Sequence, residues 1–453
     1  MGAITLAQAA AWCGGQVAEK FAQVTFNGAS NDTRTLLPGQ LFVVLKAQRD
    51  GHAYIPNAME KGAAAVLCNH APEDVPAIVV EDTRIALGKI ANAYRKHLGF
   101  QAVGVTGSVG KSTTKEMICA VLTAGYRTAK TPANFNNDIG MPMAVLAMPE
   151  DTQAAVLEMG MSHFGEIAYL SQVGQPDQAV IINIGTMHME NLGSQEGILQ
   201  AKMEILEGLH PQGKLFLNGD DSLLYGQKEA LGDRAVYFGT DPELCTVWAD
   251  EIRQAEGSVS YVAHTKELSF PITLPVEGLH HVIDSLAAVA VGLHMAIPPA
   301  DIADRLSAFR NMEGRQEIFQ AKGCTIIKDC YNAGPESMAA ALAVLGNRTG
   351  RKIAVLGDML ELGVTTKAEH YKVGRIAAEQ ADILLCYGPN SHKMRSGAVT
   401  GGMHGNRAKA FTEQEKLANI LCQMAKPGDT ILFKGSRGMH METVLELFLN
   451  AEE

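Results

Sequence analysis

The ten residues Val105–Thr114, VTGSVGKSTT, constrain this chain more than any other stretch. They follow the apolar run AVGVT, which opens at Ala102, and lead into a helical pattern starting near Lys111, so a strand passes through a glycine turn into a helix. Gly107 and Gly110 let backbone N–H groups surround phosphate oxygens, and the positive end of the helix adds to the attraction. Ser108 and Thr113 complete the loop. Lys111 is placed to reach β- and γ-phosphates, and the Ser112 hydroxyl to ligate Mg²⁺. Position 105 is valine, so the loop is the shorter T-G-x-x-G-K-S rather than G-x-x-x-x-G-K-[ST]. An ordinary glycine turn before a helix with a surface lysine is the plain alternative.

A strand of this kind needs parallel neighbours, and the sequence supplies them. Strand, loop and helix recur through AAVLEM, QAVIIN and GKLFLN, the pattern of a parallel sheet with right-handed crossovers. Upstream, the apolar runs at 41–45, 63–67 and 77–80 and a helix from about Thr83 to His97 read as a smaller α/β unit. Downstream, Ala249–Pro275 alternates polar and apolar residues, which predicts antiparallel strands, and helices around 281–294 and 299–308 close the unit. Beyond the polar stretch Asn311–Arg315 a third α/β pattern runs through CTIIKDC, KIAVLG, DILLCYG and DTILFKG. The expectation is α/β with three domains, at residues 1–98, 99–313 and 314–453. The length of 453 residues agrees with three domains at about 150 residues each.

Composition narrows the function. With 47% hydrophobic and 19% charged residues the chain is expected to fold throughout. A net charge of −11 disfavours nucleic acid and anionic lipid as partners, so an anionic ligand needs a local site. The first residues carry no basic segment ahead of their apolar stretch, and no apolar run reaches 18 residues, so neither secretion nor membrane insertion is expected. Eight cysteines without a C-x-x-C pair indicate neither a zinc site nor a disulfide framework, and a reducing cytoplasm is expected.

Two further candidates stand at strand ends. Glu158 closes AAVLE and His188 follows IINIGTM, and the carboxyl ends of parallel strands line the ligand crevice. A glutamate facing phosphates needs a cation, so the two offer a carboxylate oxygen and an imidazole nitrogen to Mg²⁺ or Mn²⁺. Taken singly, each also reads as a capping or helix-contact residue.

With these residues in place the chain resembles the Mur ligases, ATP-dependent amide-forming enzymes of peptidoglycan synthesis. The resemblance is carried by SNDTRT from Ser30, RDGHA from Arg49, TGSVGKST from Thr106, TPANFNNDIGMPM from Thr131 and EMGMSHFGEI from Glu158. It continues in TMHMENLGSQ from Thr186, AKMEILE from Ala201, Gly314–Arg315, DCYNAGPESM from Asp329, LGDMLELG from Leu356 and KGSR from Lys434. The NFNNDIGMP and DCYNAGPESM stretches look specific to the branch that joins a tripeptide to a dipeptide. The resemblance implies a central P-loop ATPase-type parallel sheet, an N-terminal UDP-substrate domain and a C-terminal Rossmann-like domain that takes the incoming dipeptide.

The implied chemistry is ATP-driven joining of D-Ala-D-Ala to UDP-MurNAc-tripeptide through an acyl phosphate, in a monomeric cytoplasmic enzyme. Position by position, Ser30, Thr33, Arg34 and His52 are expected at the UDP end, and Asn134, Asn136 and Asn137 at the muramoyl portion. A hydrogen-bonded turn is the bland reading of that asparagine cluster. Glu158, His188 and Lys202 match metal-site residues, with Lys202 carbamylated in the family; a simple surface lysine is the alternative. Arg315 and Asp329 are expected at the γ-phosphate and ribose. Asn332, Lys434, Ser436 and Arg437 are expected at the dipeptide, with Arg437 otherwise an exposed helix-start residue.

Two positions depart from the family pattern. GLHHVIDSLAA, from Gly278, carries His281 and Asp284 where asparagines are usual, and Asn332-Ala333-Gly334-Pro335 lacks the second asparagine. His281 is accordingly expected to take over the adenine contact. The departures also motivate a nucleotide-binding scaffold that has lost catalysis, against which the intact Lys111, Glu158, His188 and Lys202 argue. A superfamily member that adds one amino acid or glutamate to another carboxylate is a further alternative, and such an enzyme would not need the first domain or NFNND.

Overall fold

The computed structural model describes residues 3–46 and 50–451, so Arg49 lies outside the described residues. Its centre is a nine-stranded sheet, in spatial order Ser269–Leu274, Ser258–His264, Val247–Ala255, Ala235–Gly239, Lys214–Asn218, Gln178–Ile181, Gln101–Thr106, Ala154–Glu158 and Thr128–Lys130. The first three strands pair antiparallel, as their alternation predicts, and the rest are parallel. The continuous apolar runs of the parallel strands are buried because helices cover both faces. Lys111–Leu122 and His280–His294 lie on one face; Gly140–Leu146 and Glu166–Gly174 lie on the other.

The N-terminal unit holds four parallel strands, Ala29–Ser30, Leu41–Val43, Ala65–Cys68 and Ala77–Val79, beside a short antiparallel pair, Ile4–Thr5 with Thr25–Phe26. Its helix Thr83–Leu98 begins at Asp82, whose carboxylate accepts from Arg84 N (2.8 Å) and Ile85 N (3.1 Å), and ends at Gly99 with φ 69. That helix packs on Gly140–Leu146 and Glu166–Gly174, so one apolar core runs from Leu6 to Leu157. The unit is therefore fused to the central sheet by burial, despite the change of pattern near residue 99.

The C-terminal unit is a six-stranded sheet ordered Glu317–Ala321, Cys324–Asp329, Thr430–Lys434, Lys352–Gly357, Ile383–Tyr387 and Ala408–Phe411, parallel except for the first pair. Short half-buried strands such as Thr128–Lys130, Glu317–Ala321 and Ala408–Phe411 escape a reading of apolar runs. The unit is tied to the central one by Arg348, whose buried guanidinium pairs with Glu277 and Glu256. Between the carboxyl ends of the two large sheets lies a cavity of about 1190 Å³. Among the described residues no helix is long and apolar enough to cross a membrane.

Candidate active site

The strand Gln101–Thr106 has successive parallel strands of the chain on opposite sides, Ala154–Glu158 on one and Gln178–Ile181 on the other. Such a switch in strand order opens a crevice at the carboxyl ends. The glycine loop fills it. Gly110 sits at φ 83 and caps the helix that starts at Lys111, as the sequence predicts. A Cβ there would stand 2.5 Å from Asp284 Oδ1, so the glycine is also needed for close packing. Asp284 accepts a hydrogen bond from Thr114 Oγ1 at 2.9 Å: the carboxylate that replaces an expected asparagine braces the loop from behind.

Within the loop Lys111 Nζ donates to Gly107 O (2.7 Å) and Ser108 O (3.1 Å). Burial lowers its pKa, Glu158 raises it in part, and Arg315 adds a further lowering. Arg315, from the C-terminal unit, crosses the cleft. Its Nη2 donates to Ser112 Oγ at 2.9 Å, and its guanidinium lies 4.1 Å from the Tyr331 ring centroid. The expected phosphate lysine, metal hydroxyl and cross-domain arginine are thus one cluster.

Glu158 is 2% exposed. Its Oε1 accepts from Asn136 Nδ2 at 2.9 Å, while Oε2 is buried without a hydrogen bond, 3.4 Å from Lys115 Nζ. Lys202, also 2% exposed, has no hydrogen-bond or acid partner among the described residues. Desolvation and the Lys111 charge hold it well below the usual ammonium range. The surface-lysine reading is thereby excluded. His188, at the head of Met189–Leu192 in the central unit, meets the C-terminal unit, with Nδ1 3.1 Å from Glu361 Oε2. Asn134, Asn136 and Asn137 all line the cavity. Asn137 in addition caps Gly140–Leu146, accepting from Gly140 N at 2.8 Å, so the turn reading holds for that residue together with the cavity-lining one.

The base-reading expectation meets a different geometry. His281 is 4% exposed, with Nε2 3.2 Å from Gln316 Oε1 and Nδ1 3.6 Å from Asp284 Oδ2. Both ring nitrogens face protein groups and the His280 ring lies 4.1 Å away, so without a rearrangement a base could meet only the ring face turned from His280. At Gly334 a Cβ would stand 2.8 Å from Met187 Cγ, which gives a physical reason for the missing asparagine.

At the C-terminal wall Lys434, 2% exposed, donates to Asp329 Oδ2 (2.6 Å) and Asn332 O (3.1 Å), and all three residues line the cavity. Ser436 and Arg437 do not. Ser436 Oγ donates to Ala333 O (3.1 Å) and accepts from Leu360 N (2.9 Å), a buried link between two loops. The Arg437 side chain is 68% exposed and pairs with Glu442 at 3.2 Å, where the solvent reading put it.

At the N-terminal end the expected residues lie outside that cavity. Ser30 Oγ accepts from Asp32 N at 3.2 Å, Arg34 pairs with Asp32 (Nη2–Oδ2 2.6 Å), and Thr33 O accepts from Lys61 Nζ at 2.7 Å. His52 stacks on His70 with centroids 3.9 Å apart, its Nδ1 2.6 Å from Asp50.

Sequence reasoning missed the residues that hold these groups. Asn183 Oδ1 accepts from Ser108 N and Val109 N, both at 3.0 Å, and fixes the glycine loop. Glu336, from the C-terminal unit, accepts from Thr186 N (2.8 Å) and Thr186 Oγ1 (2.9 Å). Lys115 was findable: it lies one helical turn past Lys111 and so faces the same side. Asn183 and Glu336 carry no local signal.

Known proteins agree with this architecture. The Mur ligase middle domain matches residues 105–292, and the Mur ligase glutamate ligase domain matches residues 314–437. UDP-N-acetylmuramoyl-tripeptide–D-alanyl-D-alanine ligase of Bacillus subtilis is 41% identical over 436 residues, 94% of each chain. A crystal structure of MurF from Acinetobacter baumannii superposes with a TM-score of 0.92 at 32% identity, covering 100% of both chains. MurF ligase from Thermotoga maritima in complex with ADP superposes with a TM-score of 0.82 at 27% identity, covering 93% of this chain and 97% of that one. The two matched domains and this near full-length similarity in sequence and fold place the chain in the Mur ligase family, among the UDP-N-acetylmuramoyl-tripeptide–D-alanyl-D-alanine ligases.

Proposed function

We infer that this chain is the ATP-dependent ligase that joins D-Ala-D-Ala to UDP-MurNAc-tripeptide in peptidoglycan precursor synthesis, releasing ADP and phosphate. The observation that carries the reading is the cleft itself. Lys111, Ser112, Glu158 and the Arg315 guanidinium converge from two units on one point, beside the paired Lys434 and Asp329.

A free carboxylate is a poor acyl donor. Transfer of the γ-phosphoryl group to the tripeptide carboxylate forms a bond between a carboxylate oxygen and the γ-phosphorus and breaks the bond from that phosphorus to the bridging oxygen, which leaves on ADP. The neutral dipeptide amine then attacks the acyl carbon, the carbon–oxygen bond to phosphate breaks, and the nitrogen gives up one proton to the departing phosphate or to solvent as the amide forms. Both steps gather negative charge at the glycine loop, where Lys111 and the loop N–H groups lie; Arg315 is within reach from the facing wall. Residues 99–313 supply this ATP site, residues 1–98 the UDP end through Ser30, Thr33, Arg34 and His52, and residues 314–453 the dipeptide. The Lys434 ammonium has two of its three protons engaged by Asp329 and Asn332, which leaves one for the acceptor's carboxylate. Asp329 and the His281 ring face are proposed for the nucleoside, and Asn134, Asn136 and Asn137 for the muramoyl portion. Lys434 also puts the acceptor near the carbon it attacks.

Mg²⁺ or Mn²⁺ fits the residues present. Glu158 Oε2 is a buried acceptor without a hydrogen bond, with only the Lys115 ammonium at 3.4 Å beside it, and Ser112 and His188 add donors. Among the described residues no three His, Cys, Asp or Glu side chains converge, so the site is short of an oxygen ligand. Lys202 supports that role if its neutral amine adds to CO₂ and loses a proton, which converts an unpaired buried amine into an anionic ligand. The cation would neutralise phosphate charge. The enzyme is proposed to work as a monomer, and its ATP demand together with eight free cysteines supports a cytoplasmic location.

The test is ADP release measured with UDP-MurNAc-tripeptides ending in L-lysine or diaminopimelate, each with and without D-Ala-D-Ala. ADP release dependent on both substrates, with a pentapeptide product by mass spectrometry, is expected. Turnover with glutamate in place of the dipeptide would overturn the reading.

A further inference from the structure

The stretch LGDMLELG, Leu356–Gly363, has no part in the chemistry above. In the fold it leaves the strand Lys352–Gly357 at its carboxyl end and crosses to the helix Met189–Leu192 of the central unit. Its root is fixed inside the C-terminal unit. Asp358, 1% exposed, accepts from Asn390 N (2.8 Å) and Asn390 Nδ2 (2.9 Å). His370 Nε2 accepts from Met359 N at 3.0 Å, and Ser436 Oγ from Leu360 N at 2.9 Å. Bonds on three consecutive residues make a stiff arm, and the next residue, Glu361, is the one that meets the other unit.

The tip is shaped for that meeting. Glu361 and His188 both lie in the left-handed region, with φ 63 and 65, a conformation that strains any residue with a Cβ. Gly363, at φ 52, packs so closely that a Cβ would stand 2.9 Å from Glu190 Cβ and 3.0 Å from Glu190 Cα. The outcome is Glu361 Oε2 at 3.1 Å from His188 Nδ1, an ion-pair contact to a buried ring nitrogen that has no aligned hydrogen bond among the described residues.

We propose that Glu361 is a positioning residue for the metal corner: through this arm the C-terminal unit holds His188 by Nδ1 and so presents Nε2 to the cation. The inference rests on the reading of His188 as a metal ligand. A carboxylate on one imidazole nitrogen fixes the tautomer and stops ring rotation, leaving the lone pair on the other. Docking of the dipeptide-binding unit and completion of the metal corner then become one event, which prevents phosphoryl transfer before the acceptor's unit is in place.

The experiment measures Mn²⁺ binding to the full chain with β,γ-imido-ATP, without turnover, by electron paramagnetic resonance. The ¹⁴N coupling in the pulsed spectrum reports imidazole ligation. Glu361→Ala should raise the Mn²⁺ dissociation constant by about 10- to 100-fold and weaken the ¹⁴N coupling. Glu361→Gln, whose amide oxygen still accepts from Nδ1–H, should stay within about threefold of wild type. The side chain is 58% exposed, so both variants should keep the wild-type melting temperature. Unchanged affinity and coupling in Glu361→Ala, with coupling lost in His188→Ala, would overturn the positioning role and leave the metal site standing. Tighter Mn²⁺ binding in Glu361→Ala would overturn it too, because the contact would then be a latch that competes with the metal. Retained coupling and affinity in His188→Ala would remove the metal reading and this one with it.

Discussion

The C-terminal wall of the cleft and the central unit each bury a lysine, and treat it in opposite ways. On the C-terminal wall Lys434 is held by Asp329 at 2.6 Å and by a backbone carbonyl at 3.1 Å. In the central unit Lys202, behind the cavity lining, is as deeply buried but has no acid partner among the described residues. A buried ammonium with a carboxylate stays charged and fixes loops, whereas one without a partner is driven toward the neutral amine, the form that reacts with CO₂. Equal burial therefore gives one lysine a structural post and the other a chemical opening. The partner decides.

The largest expected effect lies beside Lys202. Lys111→Ala should abolish ADP formation, by about 10³-fold or more, while UDP-substrate binding measured by calorimetry stays intact. Turnover within tenfold of wild type would show that the central wall's charge is not the catalytic one.

Lys202→Ala should lower turnover by about 10²-fold or more, with partial recovery by short-chain carboxylates that mimic a carbamate. The unmodified lysine also carries a sign. Its folded pKa lies below the usual 10.5, so between the two values the unfolded chain binds more protons than the native one. Stability in CO₂-free buffer should therefore rise with pH through that window and level off above it. Lys202→Met should flatten the rise; melting temperatures that climb equally in both proteins would contradict the depressed amine.

The paired wall should respond in stability. Asp329→Asn leaves Lys434 buried with a weaker partner and should cost about 2 kcal/mol, less than for a fully buried pair because Asp329 is 18% exposed. A double variant, Asp329→Asn with Lys434→Met, should recover most of that loss. Denaturation of the single and double variants decides it, and a double variant no more stable than the single would make the pair dispensable to the fold.

Arg437→Ala is the smallest expected change. The side chain points to solvent and pairs with Glu442, so the acceptor's Michaelis constant should move by less than about threefold. A tenfold rise would bring the arginine back to the carboxylate and demand a rearrangement of the KGSR loop.

Local chemistry made much of this legible in the sequence. The glycine loop, the recurring strands, the antiparallel turn of the central sheet and Glu158 at a strand end all follow from signals a few residues long. Residue type went a long way too, since Lys111, Glu158, Lys434 and Arg315 do line or enter one cleft. Where the reading fell short, the deciding partner was distant in sequence. Arg437 sits three residues past Lys434 of the cleft wall, yet the turn between them aims it outward. His281 reads as a base contact until Gln316 and Asp284 are seen to face its ring nitrogens. Lys202 has no visible feature in sequence that separates it from a surface lysine.

What the sequence alone determined is therefore the set of elements and the phosphate loop, because helix, strand and glycine turn depend on side chains within one or two turns of each other. What only the tertiary structure decided is the partnership of charges. Whether a buried lysine meets Asp329 or no acid at all, and whether Glu361 stands 3.1 Å from His188, depends on residues more than a hundred positions apart brought together by packing. Charge interactions in a low-dielectric cleft are set by distance and burial, and neither is written in the order of the residues.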